Sequence, residues 1–198
     1  MARRSDHSRP ELTELAVKAG VELIEKKGLS GFSARAVARK IGYTVGTLYH
    51  VFGDMDGFML HIHGQTLDDL YAFLTKKLER SKKPSLDILA HGYLDFARAH
   101  FNRWDALFTF RTTASNEIPP WYAAKLRGLF LLTETALMPH VGNNEQAAQK
   151  HARILWSGIH GICVLSVSGK LDIVNADKAE KQIDMLLETY MAGVEKQL

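Results

Sequence analysis

The sequence predicts an all-α protein: a three-helix head with a helix-turn-helix over residues 1–53, then a larger helical bundle over 54–198, about nine helices in total. Apolar residues recur at three- and four-residue spacing along nearly the whole chain, the period of a helix with one buried face. Serine, threonine, proline and glycine punctuate these stretches where helices start and stop. No stretch alternates with period two, and no Asn-Gly or Asp-Gly pair sits between β-branched runs.

The first helix opens on Ser8-Arg9-Pro10-Glu11, a capping box with proline in the first turn, and carries Leu12, Leu15, Ala16, Ala19 and Leu23 on one face. Gly28 ends it. Ser33 caps a second helix with Val37, Ala38 and Ile41 inward, stopped by Gly42. Thr44 caps a third with Leu48 and Phe52 inward. After Gly53-Asp54 a long fourth helix runs from about Met55 to Arg80 on Met59, Ile62, Leu70 and Phe73. A polar connector, Ser81-Lys82-Lys83-Pro84-Ser85, follows, and Ser85 caps a fifth helix through Phe101. A short sixth helix follows Asp105. Pro119-Pro120 opens a seventh, which Pro139 closes. Two more span about Glu145–Ser168 and Asp177–Lys196.

Composition narrows the function class. The chain has 198 residues, 46% hydrophobic and 24% charged, with one cysteine, Cys163. A disulfide framework and a cysteine-rich zinc module are excluded. No run approaches about 18 apolar residues, and the start lacks the apolar core of a signal peptide. A membrane, secreted, collagenous or disordered protein is therefore not expected, and a cytoplasmic location is. The net charge of +3 is small but uneven: residues 1–50 carry nine Lys and Arg against five acids, the remainder 16 against 17. A basic first quarter on a near-neutral body is the footprint of a module that meets phosphates.

Residues 33–52 give that charge its meaning. Two short helices joined by a three- or four-residue turn containing glycine make a helix-turn-helix. Ala38 is small where the helices must approach, while Ile41 and Leu48 are apolar where the pair rests on the first helix. The second helix of the pair leaves Thr44, Val45, Thr47, Tyr49 and His50 for phosphate oxygens and base edges in a major groove. Val45 suits either packing at the edge of the core, the preferred reading, or an apolar contact such as a thymine methyl. Arg3, Arg4 and Arg9 form a basic arm just ahead of the first helix.

The run Ala16…Gly28…Phe32-Ser33…Val37-Ala38…Ile41-Gly42-Tyr43-Thr44-Val45-Gly46-Thr47-Leu48-Tyr49…Phe52, continuing through Gly53-Asp54-Met55-Asp56-Gly57-Phe58, resembles the DNA-binding domain of TetR-type transcriptional regulators. Trp156-Ser157-Gly158-Ile159-His160-Gly161 is similar to the Trp-His-Gly signature of one C-terminal subgroup of that family. Two positions depart from the pattern: Val51 stands where the family usually has histidine, and Met55 where it usually has lysine on a phosphate. Loss of that lysine should flatten the salt dependence of DNA binding by about one unit of slope.

The resemblance implies a homodimer, joined through its last two helices, that sets two recognition helices in successive major grooves of a near-palindromic operator. It also implies a small-molecule pocket in the C-terminal part, whose occupation releases the DNA. Carried over residue by residue, DNA contact falls to Ser33, Arg35, Tyr43, Thr44, Val45, Thr47, Tyr49 and His50.

The dense aromatics between 93 and 122 fit an apolar effector site. Tyr93, Phe96, His100, Phe108, Arg111, Trp121, Trp156 and His160 are its candidate lining, for a small apolar or aromatic effector. Leu155, Ile159, Ile162, Leu187, Tyr190 and Val194 are candidates for the dimer seam. Nine histidines raise the question of a metal, but His61 and His63 lie two apart on a helix and diverge. No metal and no cofactor is expected. Neither is catalysis: no phosphate loop, His-Glu-x-x-His or Gly-x-Ser-x-Gly motif is present, and Cys163 sits in an apolar helix. The competing readings are a helical-bundle enzyme or carrier that uses the aromatic cavity, and a sequence-nonspecific DNA binder.

Overall fold

The structure is a computed structural model that describes residues 7–80, 86–111 and 118–196. Among these it contains ten α-helices and no strand. They are α1 (Arg9–Lys27), α2 (Ala34–Ile41), α3 (Val45–Phe52), α4 (Met55–Glu79) and α5 (Leu86–Ala99). After these come α6 (Phe101–Thr109), α7 (Pro120–Leu137), α8 (Glu145–Val167), α9 (Lys170–Ile173) and α10 (Ala179–Glu195). Single 3-10 turns lie at Leu29–Gly31 and Met138–Val141.

The helix ends follow the capping chemistry. Ser8 and Glu11 form the reciprocal box at the start of α1, with Pro10 in the first turn, and Gly28 closes it. Ser33 and Thr44 accept the N–H of Ala36 and Thr47 to open α2 and α3. Two expectations change. A backbone break at His100 ends α5 at Ala99 and starts α6 at Phe101, which leaves Asp105 inside α6 rather than capping it. The chain also forms the single-turn α9, too short for any apolar period to announce, and this is the tenth helix. The expected cap at Ser85 lies outside the described residues.

The chain forms two compact units. The first joins Met1–Asp69 to His100–Tyr122, so the unit that holds the helix-turn-helix extends past residue 53 and includes the start of α4 and all of α6. Its core is built on Ala16, Ile24, Val37, Leu48, Phe58 and Ile62, with Ala106 of α6 added. Of the predicted inner face of α1, Leu15 and Leu23 are only half-buried, and Val17, Gly20 and Ile24 take the interior instead. Gly20 lets α4 come close: a Cβ there would lie 2.5 Å from Ile62 Cδ1, and the end of that side chain would have to shift. An ionic cluster ties the same helices together. Arg103 of α6, almost fully buried, pairs with Glu25 of α1 and Asp69 of α4. His100 and Asn102 add bonds of 2.8 Å to the Glu25 carboxylate and carbonyl.

The second unit comprises Leu70–Ala99 and Ala123–Leu198. Leu94 and Phe96 of α5, Leu137 of α7, Leu155 of α8 and Ile183 and Leu187 of α10 are its buried anchors. Leu155, Ile159, Leu187 and Val194, expected at a dimer seam, face this core instead. Ile162 and Tyr190 are half-buried, and the Tyr190 hydroxyl bonds His151 at 2.7 Å. The reason is periodic: these residues form the stripe on each helix that packs within the protomer, while Ile154, Leu165 and Met185 lie on other faces and stay exposed. No helix among the described residues is long and apolar enough to cross a membrane.

Candidate nucleic-acid interface

The head is organised around one turn. Gly42 takes the left-handed conformation (φ 78°, ψ 24°), which only glycine adopts at no steric cost, and so ends α2 sharply. The Tyr43 N–H then bonds back to the Ala38 carbonyl at 2.9 Å, and Thr44 begins α3 one residue later. Val37 and Ala38 on α2 and Leu48 and Phe52 on α3 are buried, which fixes how both helices sit on α1. What remains outward is the expected polar surface. Ser33, Arg35, Thr44 and His50 are exposed, and Tyr43 and Thr47 are half-exposed. Val45 and Tyr49 are also half-exposed, each with part of its side chain packed against the head's core. The Thr44 and Thr47 hydroxyls lie 2.9 Å apart, which pre-orients the first turn of α3.

The two positions that depart from the family pattern both take part in packing. Met55 packs against the head's core, as does Val51. At the start of α4 the Asp54 carboxylate accepts the Gly57 N–H at 2.8 Å, a capping bond that needs no lysine. The basic arm is in view only from His7 onward; Arg3 and Arg4 lie outside the described residues. Sequence reasoning missed two contacts here. The Arg9 guanidinium donates to the Val51 carbonyl at 3.2 Å, and His7 Nδ1 lies 2.8 Å from the Tyr43 hydroxyl. The only signal for His7 was its place immediately before the capping box.

The eight effector candidates divide between the units. Tyr93, Phe96, Trp156 and His160 belong to the second. There the Tyr93 hydroxyl meets His160 Nδ1 at 3.0 Å, and the His160 ring stacks on Trp156 with centroids 5.2 Å apart. Phe130 of α7 adds an edge to Trp156. Burial holds the His160 imidazole below its ordinary pKa. Phe96 is buried at the core against Phe73.

His100, Phe108, Arg111 and Trp121 belong to the first unit. His100 is engaged with Glu25, Phe108 lies edge-on to Trp104, and Trp121 stacks on His61 at 4.8 Å. Arg111 is exposed. A separate cleft of about 420 Å³ opens among Arg98, Ser166, Leu171, Lys178 and Glu180, and none of the eight lines it. Among the described residues no three His, Cys, Asp or Glu side chains are grouped to hold a metal.

A capped helix-turn-helix with a polar outer face, carried ahead of a second helical unit, defines a DNA-binding regulator. Comparison with known proteins supplies the family. Residues 16–62 match the family described as bacterial regulatory proteins, tetR family, and residues 86–190 match the tetracyclin repressor-like C-terminal domain. The chain belongs to the TetR family of transcriptional regulators. An uncharacterized HTH-type transcriptional regulator of Mycobacterium tuberculosis is 24% identical over 184 residues, covering 92% of this chain and 81% of that protein. A solved protein of unknown function from Rhodococcus sp. RHA1 shares the fold with a TM-score of 0.72 and 19% identity, covering 97% of this chain and 98% of its own. The multidrug binding protein EbrR, solved with imidazole, shares it at a TM-score of 0.58 and 15% identity, covering 92% and 95%.

Proposed function

We propose that this regulator is a ligand-responsive repressor that binds a near-palindromic operator as a homodimer and is released by a small apolar or aromatic effector. Residues 1–53 act as the reading head and 54–198 as the sensing and dimerisation part, in the cytoplasm and without a catalytic step. The observation that carries this reading is the outer surface of α2 and α3. Ser33, Arg35, Thr44 and His50 are exposed and Tyr43, Val45, Thr47 and Tyr49 half-exposed, while Val37, Ala38, Leu48 and Phe52 are buried beneath them. In our reading the hydroxyls of Ser33, Tyr43, Thr44 and Tyr49 and the Arg35 guanidinium meet phosphates, while Val45, Thr47 and His50 meet base edges.

Two recognition helices about 34–36 Å apart need a two-fold partner. The face we assign to it is the one α8 and α10 turn away from their own core. Ile154, Leu165 and Met185 are exposed there, and Gly161 and Gly193 have open space around them. For the effector we favour the aromatic group Tyr93, Trp156 and His160, the last two within the run that resembles the Trp-His-Gly subgroup. A protein of the same fold that binds multiple drugs supports a sensor of this kind. Release requires only that the effector bind the DNA-incompetent state better than the competent one.

The test is a mobility shift on the DNA flanking the protein's own coding region, with and without unlabelled competitor. A shift that survives nonspecific competitor is expected. Binding without sequence preference at low salt would overturn the repressor reading.

A further inference from the structure

The contacts of His7 and Arg9 attach residues 7–9 to the turn ahead of the recognition helix and to that helix's C-terminal end. Ser8 is extended (ψ 163°) and caps α1, which fixes the direction in which His7 leaves the helix. The His7 side chain then reaches Tyr43, 36 residues on, with Nδ1 2.8 Å from the phenolic oxygen and ring centroids 6.0 Å apart. Two residues later Arg9 donates to the carbonyl of Val51. That carbonyl is one of the last four of α3, which have no partner within the helix and attract cations. Residues 7–9 therefore contact the turn that leads into α3 and the C-terminal end of α3.

The chemistry of the His7–Tyr43 pair bears on DNA contact. A phosphate oxygen accepts hydrogen bonds and donates none, whereas a phenol has one O–H to give and lone pairs that accept. If Tyr43 gives its proton to His7 Nδ1, it faces a phosphate with lone pairs alone. If His7 Nδ1 carries the proton and donates to the phenolic oxygen, the Tyr43 O–H is released to donate outward. An adjacent row of anionic phosphates favours the second arrangement, because it polarises both bonds toward the negative charge.

We propose that His7 is a positioning residue of the DNA interface, holding Tyr43 by its phenolic oxygen so that the hydroxyl donates to a backbone phosphate. The inference rests on DNA binding by the helix-turn-helix but not on any particular operator, since backbone contacts carry no sequence information. It extends the interface beyond α2 and α3 to a residue ahead of the first helix.

A double-mutant cycle on the full-length protein tests it. The probe is a duplex of about 30 base pairs and arbitrary sequence at low salt, where backbone contacts dominate binding. His7→Ala and Tyr43→Phe should each weaken binding about three- to tenfold, the worth of one hydrogen bond. The double variant should bind no worse than the weaker single one. His7→Asn, whose side-chain amide can donate from nearly the position of Nδ1, should bind within about twofold of the unaltered protein.

The slope of affinity against salt should stay unchanged throughout, because no charge on phosphate is removed. Effects that add, a His7→Ala variant that binds normally, or a His7→Asn variant as weak as His7→Ala would overturn the proposal. So would a loss of about one unit of slope in both His7 variants, which would make His7 a direct cationic contact. Failure to find a preferred operator would leave the cycle readable, because its probe has none. Both side chains lie outside the buried core, and melting curves should superimpose.

Discussion

Arg103 on α6 and Glu25 on α1 are joined by an ion pair of 3.3 Å between Nε and a carboxylate oxygen, and the same guanidinium pairs with Asp69 on α4. The arginine side chain is only 10% exposed, so its charge depends on these carboxylates for compensation. The pairing joins a helix of the reading head to one that lies far along the chain.

Arg103→Met should therefore destabilise the protein by about 2 kcal/mol, because Glu25 and Asp69, each about a third exposed, lose the guanidinium held between them. Glu25 keeps His100 at 2.8 Å, which limits the loss. Urea unfolding at pH 7 measures it. A change below about 1 kcal/mol would mean that the pairs are no stronger than surface ones.

Stability should fall as the solution is acidified through the weakly acidic range. His63 is 5% exposed, its Nε2 has no hydrogen-bond partner among the described residues, and Phe110 lies edge-on to its ring. Burial pushes its pKa down to about 4 from an ordinary 6.5. Between these values the unfolded chain binds more protons than the folded one, so acid favours unfolding. The loss begins near the upper value and levels off below the lower. At pH 5 it amounts to about 2 kcal/mol relative to pH 8. His160, also held down by burial, acts in the same direction. His63→Phe should remove most of the slope in melts recorded across this range.

Tyr49→Phe should lower duplex affinity about fivefold, the effect of one hydrogen bond to phosphate. The melting point should hold, since the ring packs on the head's core and is retained. Unaltered affinity would remove Tyr49 from the interface.

In size-exclusion chromatography with light scattering the protein should appear at twice its 22.2 kDa. Met185→Asp should return it to monomer. Met185 is 64% exposed in the protomer, so the substitution costs the fold little. A monomeric unaltered protein at micromolar concentration would refute the assigned face.

Cys163 should resist thiol reagents until the protein unfolds. It is fully buried, and burial raises its thiol to about 12, which leaves almost no thiolate at neutral pH. Reaction with a disulfide reagent should become complete only above the urea midpoint, and fast labelling of the folded protein would contradict the burial.

The reading head was almost wholly legible because its information is local. Ser8, Ser33 and Thr44 cap the helices they precede, and Gly42 makes the turn in the one conformation its neighbours cannot adopt. The inward stripe of α2 and α3 is short and unambiguous. Periodicity served less well where a helix has several apolar stripes. On α1 it selected Leu15 and Leu23 over Val17 and Ile24, because period alone does not say which side a distant helix will cover. On α8 and α10 the same ambiguity assigned core residues to a seam.

By itself the sequence determined most of the helices, the caps at Ser8, Ser33 and Thr44 and the helix-turn-helix with its family, since each depends on residues close together in the chain. The tertiary structure decided which long-range partners those helices meet. It brought α6 into the unit of the reading head and set Arg103 between Glu25 and Asp69. It also divided the eight effector candidates between two units and placed His7 against Tyr43. Those contacts link residues 34–78 positions apart, and no local pattern encodes a partner at that distance.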